Sequence, residues 1–270
     1  MKKICILTLI VLGLYLPVHA FEMPGPYVKE NAAKDGRLIA EITKDFNRPA
    51  EDMVIYAVMT LKSGKTVSDT RKVIIKEKTY ADLQRALFRF VDSMKRGLTF
   101  LTIETHGRNN DQYLYTPAIG RPRQIASQDR QNDFEDTDLT NEDLGGLKLD
   151  DYTYRRGKDR KIGGRLCFRV TAIAKDRNAR FPRKVSWIDC KTFVPVRVKV
   201  YNRDNKLERV LAAGDIRKIG NINIAFKTVA KNLIQDHTTI LQVVRAQVDT
   251  GIDSGAFDKE KMGEPWAEHF

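Results

Sequence analysis

With 270 residues, 42% of them hydrophobic, the chain has enough apolar material for a substantial core, in one large domain or two small ones, and is not a disordered polypeptide. Its formal charge of +12 suits anionic head groups, lipopolysaccharide or an acidic partner. The basic residues are spread along strand-like segments with no recognition helix and no aromatic RNA-binding signature, which argues against nucleic acid.

Lys2 and Lys3, an apolar run from Ile4 to Leu16, and then Val18-His19-Ala20 give the charged, apolar and small-residue order of a secretory leader, with cleavage expected after Ala20. The run is shorter than the ~20 residues of a membrane-spanning helix. Cys5 lies inside the leader and no lipid-attachment cysteine follows the run, so the exported chain, at +10, is expected to be soluble rather than lipid-anchored. Residues 26–46 read as a helix, with Val28, Ala32, Ile39, Ile42 and Phe46 near one face and Gly36 as an awkward member. Strand patterns start at Met53, with a turn at Ser63-Gly64-Lys65 between the first two, and continue over about 83–92, 98–105, 111–116 and 122–126. Arg121 and Arg123 stand one residue apart on the last of these, on the same side as Ile125. From Ala126 to Asp136 no period persists, which predicts a long surface loop, and Thr140 with Asp143 suits the cap of one short helical turn.

The second half is a series of strands. In Arg165–Lys175, Phe168, Val170, Ala172 and Ala174 share a face; Val185 and Trp187, then Val194, Val196, Val198 and Val200, are expected to continue it. Cys167 and Cys190 fall on the polar side of adjacent strands, and a loop centred near Asn178 and Ala179 would set them directly across from each other. In an oxidising compartment a structural disulfide between them is the expectation. Three further runs, about 206–218, 222–231 and 237–248, complete the sheet, with Ile222, Ile224 and Phe226 on one face of the middle one. The stretch after Phe257 is charged, holds Trp266 and lacks periodicity, so 21–257 is expected as one domain and 258–270 as a loose charged tail. Short, evenly spaced strands without a βαβ rhythm predict a mainly β (α+β) fold built on one large curved antiparallel sheet.

Several words of the sequence, YLYTPAIGRPRQI (113–125), FEDTDLTNEDL (134–144) and LDDYTY (149–154), resemble the outer membrane lipoprotein-sorting family, the LolA-like periplasmic carriers of Gram-negative bacteria. NRPAEDM (47–53), SWIDCKTFVPVRVKVYNRDNKL (186–207) and DHTTILQVVRAQVDTGIDSGAF (236–257) fall in the same order as in that family. The chain departs from the pattern at Glu135 and Asp136, where the family more often has a small hydrophobic residue and a glycine, and at Leu139, where it often has an aromatic one. The resemblance implies a half-open β-barrel with helices over its mouth that holds acyl chains. Phe168, Val170, Trp187, Val196, Val198, Ile224 and Phe226 are then the candidates for an apolar cavity wall, each with core packing as its plainer role.

The rival readings are an adaptor and an enzyme. An adaptor would dock on a resistance-nodulation-division-type inner-membrane transporter of the kind that often accompanies family members, through Arg121, Arg123, Asp138, Glu142 and Asp143. A hydrolase ranks third: His106, His237 and His269 are the histidines left after the leader, and no G-x-S-x-G, S-x-x-K or H-E-x-x-H occurs. The acidic run at 135–143 lacks the spacing of a calcium loop, so neither metal nor cofactor is expected. The expectation is a monomeric periplasmic carrier of lipid or lipoprotein acyl chains, in transient contact with membranes.

Overall fold

A computed structural model describes residues 23–266 apart from 108 and 147. The expected leader, with Cys5, and His269 lie outside the described residues. The helix predicted at the start is α1 (Ala32–Asp45). Six strands follow: β1 (Asp52–Ser63), β2 (Thr66–Tyr80), β3 (Leu83–Phe90), β4 (Thr99–Ile103), β5 (Asp111–Tyr115) and β6 (Pro122–Gln124). A long crossing segment carries the short helix α2 (Asn141–Gly145). Seven more strands complete the chain: β7 (Tyr152–Ile162), β8 (Arg165–Ala174), β9 (Arg183–Asp189), β10 (Pro195–Tyr201), β11 (Leu207–Ile219), β12 (Ile222–Asn232) and β13 (His237–Val248).

All thirteen strands form one curved antiparallel sheet in the order β6-β5-β4-β3-β2-β1-β13-β12-β11-β10-β9-β8-β7, which stays open between β6 and β7. This order decides what covers the sheet. The chain leaves one edge at β6 and re-enters at the opposite edge as β7, so the segment between them must cross the mouth of the half-barrel. Phe134 and Leu139 of that segment insert among Met59, Leu61, Val73, Phe88, Phe90 and Phe100 on the inner face. Arg209, almost fully buried, donates to the Asp138 carbonyl at 3.1 Å and pairs with Asp133, while the Asp138 carboxylate accepts from Thr239 Oγ1 and meets His237 Nδ1, both at 2.8 Å. The crossing segment is therefore a fixed lid. Glu135 and Asp136, two of the positions at which the sequence departs from the LolA-like pattern, take φ of +46° and +64°. Glycine adopts that conformation without strain, and here the Glu135 carboxylate is held by Lys95 at 2.7 Å.

Gly36 is explained by the packing of α1 on β7. A Cβ at this position would lie 2.7 Å from the backbone N of Arg156 and 2.8 Å from the Cα of Arg155, so the helix approaches the edge strand more closely than alanine would permit. Ile39 and Ile42 on the same face bury against Tyr152, Tyr154, Phe168 and Val170. The β7 strand has no counterpart in the pattern-based reading. Its alternation is carried by Tyr152, Tyr154 and then Arg156, whose buried guanidinium pairs with Asp35 at 3.3 Å and Asp159 at 2.8 Å, so a charged residue occupies an inward position.

The end of the chain corrects the expectation of a loose tail. Residues 252–266 fold back over the outer face, where Ile252, Phe257 and Met262 bury Val54, Tyr56, Ile74, Leu87 and Leu101. Trp266 lies 4.2 Å from Lys76 Nζ and 4.4 Å from the Arg89 guanidinium, measured to its ring centre. Arg89 also donates to the carbonyls of Met262 and Glu264. With its inner face on the core and its outer face under this strap, β1 is buried on both sides, which accounts for its nearly unbroken apolar run.

The expected disulfide is not formed: Cys167 and Cys190 are both free thiols. The register is one residue from the expected one, because Cys167 pairs with Asp189. Cys190 follows on the opposite parity and packs against the cluster of Phe168, Ile188 and Phe193.

Candidate functional site

The same register sorts the candidate wall residues. Phe168 pairs with Ile188 and Val170 with Ser186, so the even-numbered residues of β9 face inward, together with Val198 and Val200 of β10. Trp187 pairs with Arg169 and Arg197 and stands on the outer face, with Lys199 5.8 Å from its ring centre, so it is not a wall residue. Hydropathy alone assigns this strand the opposite parity, because Val185 and Trp187 are more apolar than the inward-facing Lys184 and Ser186.

A cavity of about 520 Å³ opens between the inner face, α1 and α2. Its apolar wall is formed by Val170, Ala172, Ile188, Val198, Val200 and Leu211, joined by Leu144 and Leu149 from the lid. Of the predicted wall, Val170 and Val198 line it. Phe168 lies on the same face but is sealed under α1 against Phe193, with ring centres 5.9 Å apart. Val196 is buried without bordering the cavity. Ile224 and Phe226 belong to the inner-face core further along the sheet, with Met53, Ile55 and Ala57.

The rest of the wall is polar, and sequence reasoning missed most of it. On the lid side Glu142 holds Lys184 Nζ at 2.5 Å and the Tyr152 hydroxyl at 2.9 Å. Burial pushes the Lys184 ammonium down, but Glu142 and Asp143 outweigh it and hold the group above the usual lysine range. Burial raises the Tyr152 and Tyr154 hydroxyls well above the usual tyrosine range, so both remain protonated. On the opposite side Glu104 is bridged by Lys44 and, at 3.1 Å, by Arg48. Glu77 accepts from Gln84 at 2.8 Å; burial raises its carboxyl, and the Gln84 hydrogen bond and the Arg48 charge only partly offset this. The cavity is thus an apolar slot with internally paired charges at its two polar ends.

The residues considered as partner contacts divide in two. Arg121 and Arg123 are exposed on and beside the edge strand β6. Asp138 is buried at 2% exposure in the lid anchor, Glu142 faces the cavity, and Asp143 accepts from the Thr140 backbone N at 2.9 Å to close the capping box of α2. Asp138, Glu142 and Asp143 are thus engaged within the molecule, while the Asp136 side chain of the acidic run is exposed. His237 ties the lid to β13 through Asp138, and His106 is exposed beside Asp82 at 3.4 Å. Among the described residues no cluster of three or more His, Cys, Asp or Glu side chains is placed to hold a metal ion.

An open antiparallel half-barrel, closed over by a crossing lid and an N-terminal helix around an inner cavity, defines a LolA-like fold. Solved structures agree. The chain superposes on an outer membrane lipoprotein-sorting protein domain from Vibrio parahaemolyticus with a TM-score of 0.79 at 24% identity, covering 86% of this chain and 99% of that one. It matches a DUF1329 family protein from Desulfovibrio piger at 0.77 and 21% identity, covering 84% and 97% of the two chains. For a LolA superfamily protein from Nitrosomonas europaea the TM-score is 0.63 at 13% identity, again covering 84% and 97%. A family profile described as "Uncharacterized protein" matches residues 82–264, more than half of the chain, and the chain belongs to that family. No curated protein matches it.

Proposed function

We propose that the protein is a periplasmic carrier that buries the hydrocarbon chain of a lipid or lipoprotein reversibly, without covalent chemistry, between the inner and outer membranes. The observation that carries this reading is the cavity between the inner sheet face and the lid. Moving a chain from membrane to water costs about 0.8 kcal/mol per methylene, or on the order of 12 kcal/mol for a long chain, which makes unassisted crossing negligible. A wall of Val170, Ala172, Ile188, Val198, Val200 and Leu211 offsets most of that cost, while the polar ends keep the complex releasable. The sorting role in the description of the Vibrio relative and the leader-like start of the sequence both support export and this cargo class. Residues 23–266 then act as one carrier unit.

The adaptor reading requires a filled sheet face, and the cavity weighs against it as the sole role. The exposed Arg121 and Arg123 still suit docking on an inner-membrane transporter, which is compatible with carrying cargo. The carrier reading is tested with a pyrene-labelled hydrocarbon chain. The native protein takes it up stoichiometrically, and Val198→Phe, which fills the slot, weakens uptake by about tenfold or more, worth ~1.4 kcal/mol, while its thermal melt stays cooperative. A native protein that takes up no probe refutes the proposal.

A further inference from the structure

The groups lining the cavity divide into those whose bonding is complete and those whose bonding is not. Every charged side chain in the wall has a partner. Lys44 meets Glu104, Arg48 meets Asp45 at 2.7 Å and Glu104 at 3.1 Å, Lys184 meets Glu142 at 2.5 Å, and Glu77 accepts from Gln84 at 2.8 Å. An ionised head group entering here would have to break one of these pairs and leave a charge uncompensated.

The neutral hydroxyls are in the opposite condition. Tyr154, 8% exposed, and Thr102, 5% exposed, both line the cavity, and neither hydroxyl oxygen has a hydrogen-bond partner among the described residues. The same holds for Thr43 Oγ1 on α1 and for the Nε–H of Arg48, whose guanidinium charge is already balanced. Each hydroxyl can donate and accept, and a buried one without a partner has lost its hydration with nothing in return. Native interiors leave few such groups, so several bordering one cavity indicate a polar but uncharged partner.

Volume narrows the class further. A cavity of about 520 Å³ lies within the range of a single small ligand. A ligand of that class has the bulk of one long chain and not of three.

We propose that the ligand is an uncharged lipid of about one chain's volume bearing a hydroxyl or ester oxygen, with that oxygen held by Tyr154 and Thr102 and its hydrocarbon against Val170, Val198 and Leu211. This rests on the carrier reading and narrows its cargo. The test is displacement of the bound pyrene-labelled chain by hexadecanol, monopalmitoylglycerol, palmitate above neutral pH and a synthetic triacylated lipopeptide. The two neutral lipids displace it at about tenfold lower concentration than palmitate or the lipopeptide, and Tyr154→Phe and Thr102→Val each weaken hexadecanol binding about three- to tenfold more than they weaken binding of the pyrene chain. Palmitate or lipopeptide binding as tightly as the neutral lipids overturns the assignment, as do variants with unchanged hexadecanol affinity, which would mean hydroxyls that are merely hydrated. A native protein that never takes up the pyrene chain fails at the earlier step and removes the carrier reading along with this one.

Discussion

Phe134→Ala tests whether the crossing segment is a built lid or a surface loop. Phe134 is 1% exposed, with its ring edge-on to Phe88 and Phe100 at 5.4 Å each and stacked on Phe90 at 6.0 Å. Truncating a fully buried phenylalanine costs about 3–5 kcal/mol, because the lost transfer energy is joined by a cavity that the surrounding rings only partly fill. The three ring pairs, at ~0.5–1.5 kcal/mol each, place this site toward the upper part of that range. Around it the backbone is also held by Arg71, which donates to the Glu135 carbonyl at 2.7 Å, so the segment has no ready route to collapse. Urea denaturation followed by intrinsic fluorescence should show the midpoint falling by an amount equivalent to about 4 kcal/mol, at nearly constant slope. Uptake of the pyrene-labelled chain should weaken too, because α2 and Leu144 ride on the same segment. A stability loss below about 1 kcal/mol would refute the reasoning, since only an unanchored loop tolerates that truncation.

Gly36→Ala, which raises intrinsic helix propensity by about 1 kcal/mol, should instead lower the melting temperature, because its Cβ would press on the backbone of Arg156; a higher melting temperature would mean that α1 does not sit this close to β7. Glu142→Gln strands the buried Lys184 and should cost about 3–5 kcal/mol in urea melts, and adding Lys184→Met should recover much of it; a double variant no better than the single one contradicts the pairing. Burial raises the Glu77 carboxyl above its unfolded value, so its protonated form favours the fold at low pH, and that contribution is lost as pH rises through the raised value. Glu77→Gln should therefore stabilise the protein at neutral pH and make no difference below about pH 4, and equal effects at both would show that the carboxyl is not enclosed.

Where alternation was simple, the sequence was a sufficient guide. The first hairpin, the strands around Phe88, Phe100 and Leu114 and the inward row of Phe168, Val170 and Ala172 follow from period-two patterning, and the half-open architecture follows from the resemblance carried by 113–144. Features resting on polar inward groups or on register were not legible. β7 went unseen because Arg156 occupies a core position and is neutralised by Asp35 and Asp159, which are distant or irregular in the pattern. A single step of register decided the face of Trp187 and the separation of Cys167 from Cys190, and hydropathy does not fix such a step when Lys184 and Ser186 are the inward pair. The strap was hidden because its apolar anchors, Ile252, Phe257, Met262 and Trp266, are spaced for short turns and not for a helix or strand. The polar half of the cavity draws on α1, β2, β4, α2, β7 and β9, segments that only the folded sheet brings together.

The most direct test of the carrier account is native mass spectrometry of the protein purified from its native cells, followed by solvent extraction and identification of whatever is bound. The account predicts a stoichiometric lipid bound through hydrocarbon burial, lost or depleted in Val198→Phe. A protein recovered empty, and unable to take up a hydrocarbon chain afterwards, would contradict it.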